Sequence, residues 1–265
     1  MNRRRLIELG AGGCAAGLVG LAAGYKVHDR IRAATSSARE TTAPANSPRQ
    51  RFKAKSSEIV ERHRQQTNED VQALKAKYES PILGKFRVWD LIEQLSLCID
   101  PSDNRLGVAS QYVHVCQILQ VMERDDVLDE TMLLTALLHD LGKLALLAGE
   151  APENVVCFTE PVEEREAEAG LDNVLFQFGH DEIAYSRIKD HVPPHVAWLV
   201  RYHSMYVGKA EKYMSPQDRE YAQQYLAKFS RYDHGTKSTA FRPTEMTLER
   251  HRDFVESRFP NPILF

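Results

Sequence analysis

Between Glu130 and Ala148 the chain reads ETMLLTALLHDLGKLALLA, a run that is apolar on nearly every side of a helix. Such a helix has no face to offer water, so it belongs at the centre of a fold with other helices around it. His139 and Asp140 interrupt it. Two ionisable neighbours in a leucine-rich helix are costly to bury unless they are paired or bind a metal. A lone buried histidine is ordinarily a hydrogen-bonded core residue. A histidine followed at once by an aspartate differs, because imidazole nitrogen and carboxylate oxygen together suit iron, manganese and zinc.

The remaining segments carry the same helical period. Residues 56–78 are polar with a sparse apolar stripe. Residues 87–99 place Val88, Leu91, Ile92, Leu95 and Ile99 at helical spacing. Residues 109–123 are strongly apolar. Pro193-Pro194 opens a helix over 195–206, and Ser215-Pro216 is an N-cap and first-turn pair for 217–232. No stretch alternates as a strand would, and no internal repeat is visible. The expected fold is all-α: one compact helical bundle over residues 51–265. A net charge of −3 leaves no basic excess for nucleic acid. Cys14, Cys98, Cys116 and Cys157 form no CxxC pair, which argues against a disulfide framework or a zinc–cysteine site.

The N-terminus carries a different message. Three arginines, Arg3 to Arg5, precede a mild apolar stretch, and no charge occurs from Leu9 to Tyr25. That length is marginal for a membrane span and fits an export signal better. The arginine cluster resembles a twin-arginine signal, so residues 1–32 are expected to direct export or to anchor the chain, with membrane attachment through residues 6–24; a cytoplasmic location is the alternative. Residues 33–50, rich in Ser, Thr, Ala and Pro, read as a flexible linker.

If His139 and Asp140 bind metal, more ligands are needed. His114 lies on the preceding apolar helix, His180 in FGHDE, His203 in VRYHS and Asp233 in FSRYDHGTK. Tyr225, Phe229 and Asp233 recur at i, i+4, which puts Asp233 on an aromatic face. Four imidazoles and two carboxylates exceed one mononuclear site and describe a dinuclear centre with one aspartate bridging. Asp181 is expected to support a ligand rather than be one. His28, His63, His191, His195, His234 and His251 lie in polar or loop-like contexts and read as solvated or capping.

LLHDLGK is the signature of the HD-domain superfamily, which the chain resembles. More specifically, IDPSD (99–103), HDLGK (139–143), GLDNVLFQFGHDE (170–182), WLVRYHSMY (198–206), AKFSRYDHGTK (227–237) and RP…VESRFP (242–260) resemble the myo-inositol oxygenases in order and spacing. HRQQTNEDV (63–71) is similar to that family's upstream segment. The resemblance implies a helical fold and a non-heme di-iron site, two iron ions as Fe(II)/Fe(III) with O2 as co-substrate, on the same six ligands. It implies Asp100, Lys143, Ser204 and Lys237 as substrate contacts, with Lys143 also catalytic by polarising a substrate oxygen. It further implies ring cleavage of myo-inositol, or a related cyclic polyol, to D-glucuronate. The chain is expected to be a monomer. Lys143 follows His139 by one helical turn and Lys237 follows Asp233 by the same spacing, so each faces its ligand's side.

The chain also departs from that family. A Gly-Asp pair that contacts the polyol there aligns with Cys157-Phe158 here, which removes a carboxylate. If Phe158 faces the pocket, Phe158→Asp strengthens inositol binding. The family's substrate-closing arginine has no clear counterpart; Arg51 is the nearest. The competing reading is an HD-type phosphohydrolase that activates water with two metals. It lacks arginines near the motifs to grip phosphate.

Overall fold

The computed structural model describes residues 48–244 and 246–265. The export signal, the apolar stretch 6–24, His28 and residues 33–47 of the linker lie outside them, as does the side chain of Arg51. Residues 48–50, assigned to the linker from composition, are already helical.

Helix α1 spans Pro48–Arg64 and α2 spans Asn68–Lys77. The single helix expected over 56–78 is therefore two, because Thr67 starts a new one. Its hydroxyl accepts from the Asp70 amide at 3.2 Å and Asp70 accepts from the Thr67 amide at 2.9 Å, a reciprocal cap that fixes the boundary. Helix α3 (Val88–Gln94) tightens into a 3-10 turn at Leu95–Leu97. Helix α4 is Gln111–Arg124 and α5 is Glu130–Leu138, capped by Asp129, which accepts from the Met132 amide at 3.1 Å. Helix α6 is His180–Ile188 and α7 is Pro194–Tyr202. Helix α8 (Pro216–Tyr221) has the expected Ser215 cap and continues through a π turn, Ala222–Leu226, into α9, Ala227–Thr236. Helix α10 is Arg252–Arg258. A two-residue antiparallel pair, β1 (Lys85–Phe86) with β2 (Ile263–Leu264), is too short to show a period in sequence, and it fastens the C-terminus.

The fold is helical around α5, which packs on α4, α7 and α9. The leucine run is buried from Met132 to Ala145, as its composition demands, but it is not one helix. It leaves α-geometry after His139, at Asp140 (φ −95°, ψ 3°), and resumes as a 3-10 turn over Leu141–Leu146. The side chains of His139 and Asp140 meet at this joint, Nε2 to Oδ2 at 3.3 Å. A second apolar cluster, with Val71, Tyr78, Val155, Phe178 and Ile183, seats α2 against the loop between residues 150 and 179.

Candidate metal centre

Six side chains from five elements meet beside that joint: His114 from α4, His139 and Asp140 from the joint, His180 as the first residue of α6, His203 just past α7, and Asp233 from α9. All are buried, with exposures of 0–3%. Phe229, one turn before Asp233, stands edge-on to His139 at 5.3 Å and fixes its ring. Tyr225 is off that face. The π turn shifts it against His195, at 5.3 Å between ring centres, so only Phe229 and Asp233 share the face expected for all three.

The hydrogen bonds decide which nitrogen three of the four imidazoles present. His139 Nδ1 donates to Ala136 O at 3.1 Å, His180 Nδ1 to Val156 O at 3.2 Å, and His203 Nδ1 to Val200 O at 2.8 Å. A carbonyl only accepts, so each Nδ1 carries the proton and each Nε2 carries a lone pair. Those lone pairs converge. His180 and His203 face each other Nε2 to Nε2 at 3.1 Å. Asp140 lies between the rings, Oδ1 at 3.2 Å from His180 Nε2 and Oδ2 at 3.3 Å from His139 Nε2. Burial holds His203 far below the usual histidine range, helped by its imidazole neighbours, and burial with the Lys237 charge pushes His114 down to about 4. Neither buried oxygen of Asp140 accepts a hydrogen bond and His139 Nε2 has no partner; Lys143 Nζ faces Asp140 Oδ1 as an ion pair only, at 3.1 Å.

Converging lone pairs repel unless a cation sits among them, so these residues fit a metal. Metal–nitrogen bonds of about 2.0–2.1 Å meeting near a right angle place two nitrogens about 3 Å apart, as His180 and His203 are. Two such groups exist among the described residues, His114–His139–Asp140 and Asp140–His180–His203, and they share Asp140. Asp233 joins the first through His114 Nε2, at 2.9 Å from its Oδ1.

Two ammonium groups flank the cluster. Lys143 Nζ lies 3.1 Å from Asp140 Oδ1, 3.2 Å from Asp100 Oδ2 and 3.0 Å from Gln111 Oε1. Lys237 Nζ lies 3.3 Å from Asp233 Oδ1 and 3.2 Å from Asp103 Oδ2. Burial disfavours both charges, but the carboxylates around them outweigh it and hold both lysines protonated. Asp103 and Gln111 escape sequence reasoning. Asp103 stands in the quoted IDPSD segment, and its spacing from Asp100 is the one available signal. Gln111 carries none, because a polar residue at a helix start reads as a cap.

Asp103 makes the ion-pair network testable by acid. Burial would raise its carboxyl, but Lys237 and then Lys143 outweigh that and hold it at about 2, below its ordinary 3.8. A depressed folded pKa stabilises above the unfolded value, and that stabilisation is lost as pH falls through the folded one. The stability gap between wild type and Asp103→Asn is therefore expected to shrink by roughly 2 kcal/mol from pH 4 to pH 2. Urea unfolding across that range measures it; a constant gap would show that the lysines do not hold Asp103 charged.

Of the four expected substrate contacts, Asp100, Lys143 and Lys237 are in this cluster. The Ser204 hydroxyl donates to Asp181 Oδ2 at 2.6 Å, and Asp181 Oδ1 accepts from the Glu182 amide at 3.1 Å. Cys157 and Phe158 divide. The Cys157 thiol is 4.0 Å from both Asp100 Oδ2 and Lys237 Nζ, whereas the Phe158 ring lies under the Arg64 guanidinium at 5.1 Å and beside Tyr206 at 5.8 Å. His63 is not solvated, as its polar context suggested. It is fully buried and bridges Glu153 O and Phe158 O, which ties α1 to the strip carrying Cys157. His251 is likewise buried, against Glu123 at 3.1 Å.

The model of the myo-inositol oxygenase family matches residues 53–168 and 163–265. Inositol oxygenase 1 of Arabidopsis thaliana is 28% identical over 240 residues, covering 76% of this chain and 76% of that protein. A probable inositol oxygenase of Oryza sativa subsp. japonica is 28% identical over 75% of the chain and 76% of its own length. The inositol oxygenase of Bos taurus is 26% identical over 75% and 82%. With the matched residues running through every element that carries the centre, the chain belongs to the myo-inositol oxygenase family.

Proposed function

We propose that this protein cleaves the ring of myo-inositol, or of a closely related cyclitol, with O2 to give D-glucuronate, at a dinuclear non-heme iron centre on His114, His139, Asp140, His180, His203 and Asp233. The observation that carries the reading is the pair of His/Asp groups sharing Asp140 in a chain of this family. When bound, the irons supply Lewis acidity toward vicinal hydroxyl oxygens and the electrons that O2 activation needs.

The chain's own residues do the rest. Asp140 turns one oxygen to each half of the centre. Lys143, kept protonated by Asp100 and Asp140, polarises a substrate oxygen. Asp100 accepts a hydroxyl proton and Lys237 donates to a ring oxygen, so the polyol is oriented before reaction. Burial of every ligand keeps bulk water from competing. The charged start and short apolar middle of residues 2–25 support export or membrane attachment of this enzyme.

Oxygen uptake by the iron-loaded protein tests the reading. Uptake that depends on myo-inositol and matches glucuronate formed is expected. Phosphate release from phosphate esters without oxygen uptake would favour the hydrolase instead. Phe158→Asp adds a check on the pocket. Its new carboxylate meets Arg64, so KM for myo-inositol is expected to stay within about twofold. A tenfold fall in KM would place position 158 against the substrate.

A further inference from the structure

Gln111 is fully buried at the start of α4, one turn before His114. Its Oε1 is 3.0 Å from Lys143 Nζ. An ammonium only donates, so the amide has to turn its oxygen to Lys143, which fixes where its nitrogen points. That Nε2, with two N–H donors, is buried and has no acceptor. Lys143 is already committed: Gln111 Oε1 accepts its hydrogen bond, and Asp140 Oδ1 and Asp100 Oδ2 pair with its charge at 3.1 and 3.2 Å. Lys143 reaches a substrate oxygen only by loosening one of them. Gln111 has donors to give at once, within one amide width of the same spot.

We propose that Gln111 is a specificity-determining substrate contact: its amide N–H2 donates to one ring oxygen of the cyclitol while its carbonyl holds Lys143 in place. This rests on the cyclitol reading above. The chemistry sets a rule for the ligand. A donor needs a lone pair and not a proton, so the ring must carry an oxygen at that position. A deoxy analogue leaves the buried amide without an acceptor and is rejected.

The test uses the full-length, iron-loaded protein with myo-inositol and its single-position deoxy analogues. Oxygen uptake gives kcat/KM for each, and ligand-induced shifts in melting temperature give relative affinities independently of turnover. Wild type is expected to discriminate against one deoxy analogue by about tenfold or more. In Gln111→Met, which keeps the shape without hydrogen bonds, that ratio is expected to fall to near one while the ratios at other positions hold. Gln111→Glu keeps an oxygen for Lys143 but has no donor, and is expected to lose the same discrimination. Wild type using all deoxy analogues equally, or an unchanged ratio in either folded variant, would overturn the proposal. Wild type that neither binds nor oxidises any cyclitol would overturn the substrate reading itself, a separate and recognisable result.

Discussion

Asp140→Asn is expected to strip the centre of iron and lower turnover by more than about 10³-fold. Losing a group that merely orients a metal ligand costs roughly 10–100-fold, and Asp140 faces both halves of the centre directly. Its two oxygens are 3.2 and 3.3 Å from imidazole lone pairs on opposite sides. Asparagine keeps one acceptor and replaces the other with N–H donors, which satisfy an imidazole lone pair and remove the need for a cation. The stabilisation that iron gives the wild type, about 4 kcal/mol at a thousandfold excess over Kd, disappears with it. Iron per chain, oxygen uptake and melting temperature with and without iron measure the effect together. A variant that keeps its iron and its iron-dependent melting shift would remove Asp140 from the shared position.

Lys143→Met is expected to cost about 3–5 kcal/mol of stability, as removal of one partner from a buried ion pair does. The thioether fills the space but leaves Asp100 and Asp140 facing each other's charge without the cation between them. Turnover is expected to fall by about 10²-fold or more, since in the proposed reaction the same ammonium polarises the substrate. Unfolding of the iron-loaded variant and steady-state kinetics separate the two effects. Lys143→Arg is no rescue, because a planar fork does not fit three acceptors arranged around a point charge. A variant as stable as wild type would mean that the carboxylates do not depend on Lys143.

The sequence makes the centre of this fold visible and hides its joints. The leucine run with His139-Asp140 announces a buried helix that holds a metal, and residue type alone extends the set to His114, His180, His203 and Asp233. What it cannot show is where helices break. The stop at Leu138 depends on how closely the chain approaches α6, the break at Thr67 on a cap four residues long, and the π turn at Ala222–Leu226 on packing that carries no periodic signature. Tyr225 loses its expected face for that last reason. His63 and Gln111 are illegible because each looks like a surface residue in its own segment, and each is buried by partners far away in sequence, Glu153 and Phe158 for the one and Lys143 for the other.

Gly142 bears on how such a site can change. A Cβ there would fall 1.8 Å from His180 O, so the 3-10 turn after Asp140 and the first turn of α6 touch main chain to main chain. The span between the His139 half and the His180 half is therefore gauged by backbone, with no side chain to serve as an adjustable shim. Drift in sequence can change side chains beside the cluster, such as Cys157, one residue at a time. The spacing of the two His/Asp groups has no comparable dial, so new neighbours are far more accessible to this scaffold than a new spacing.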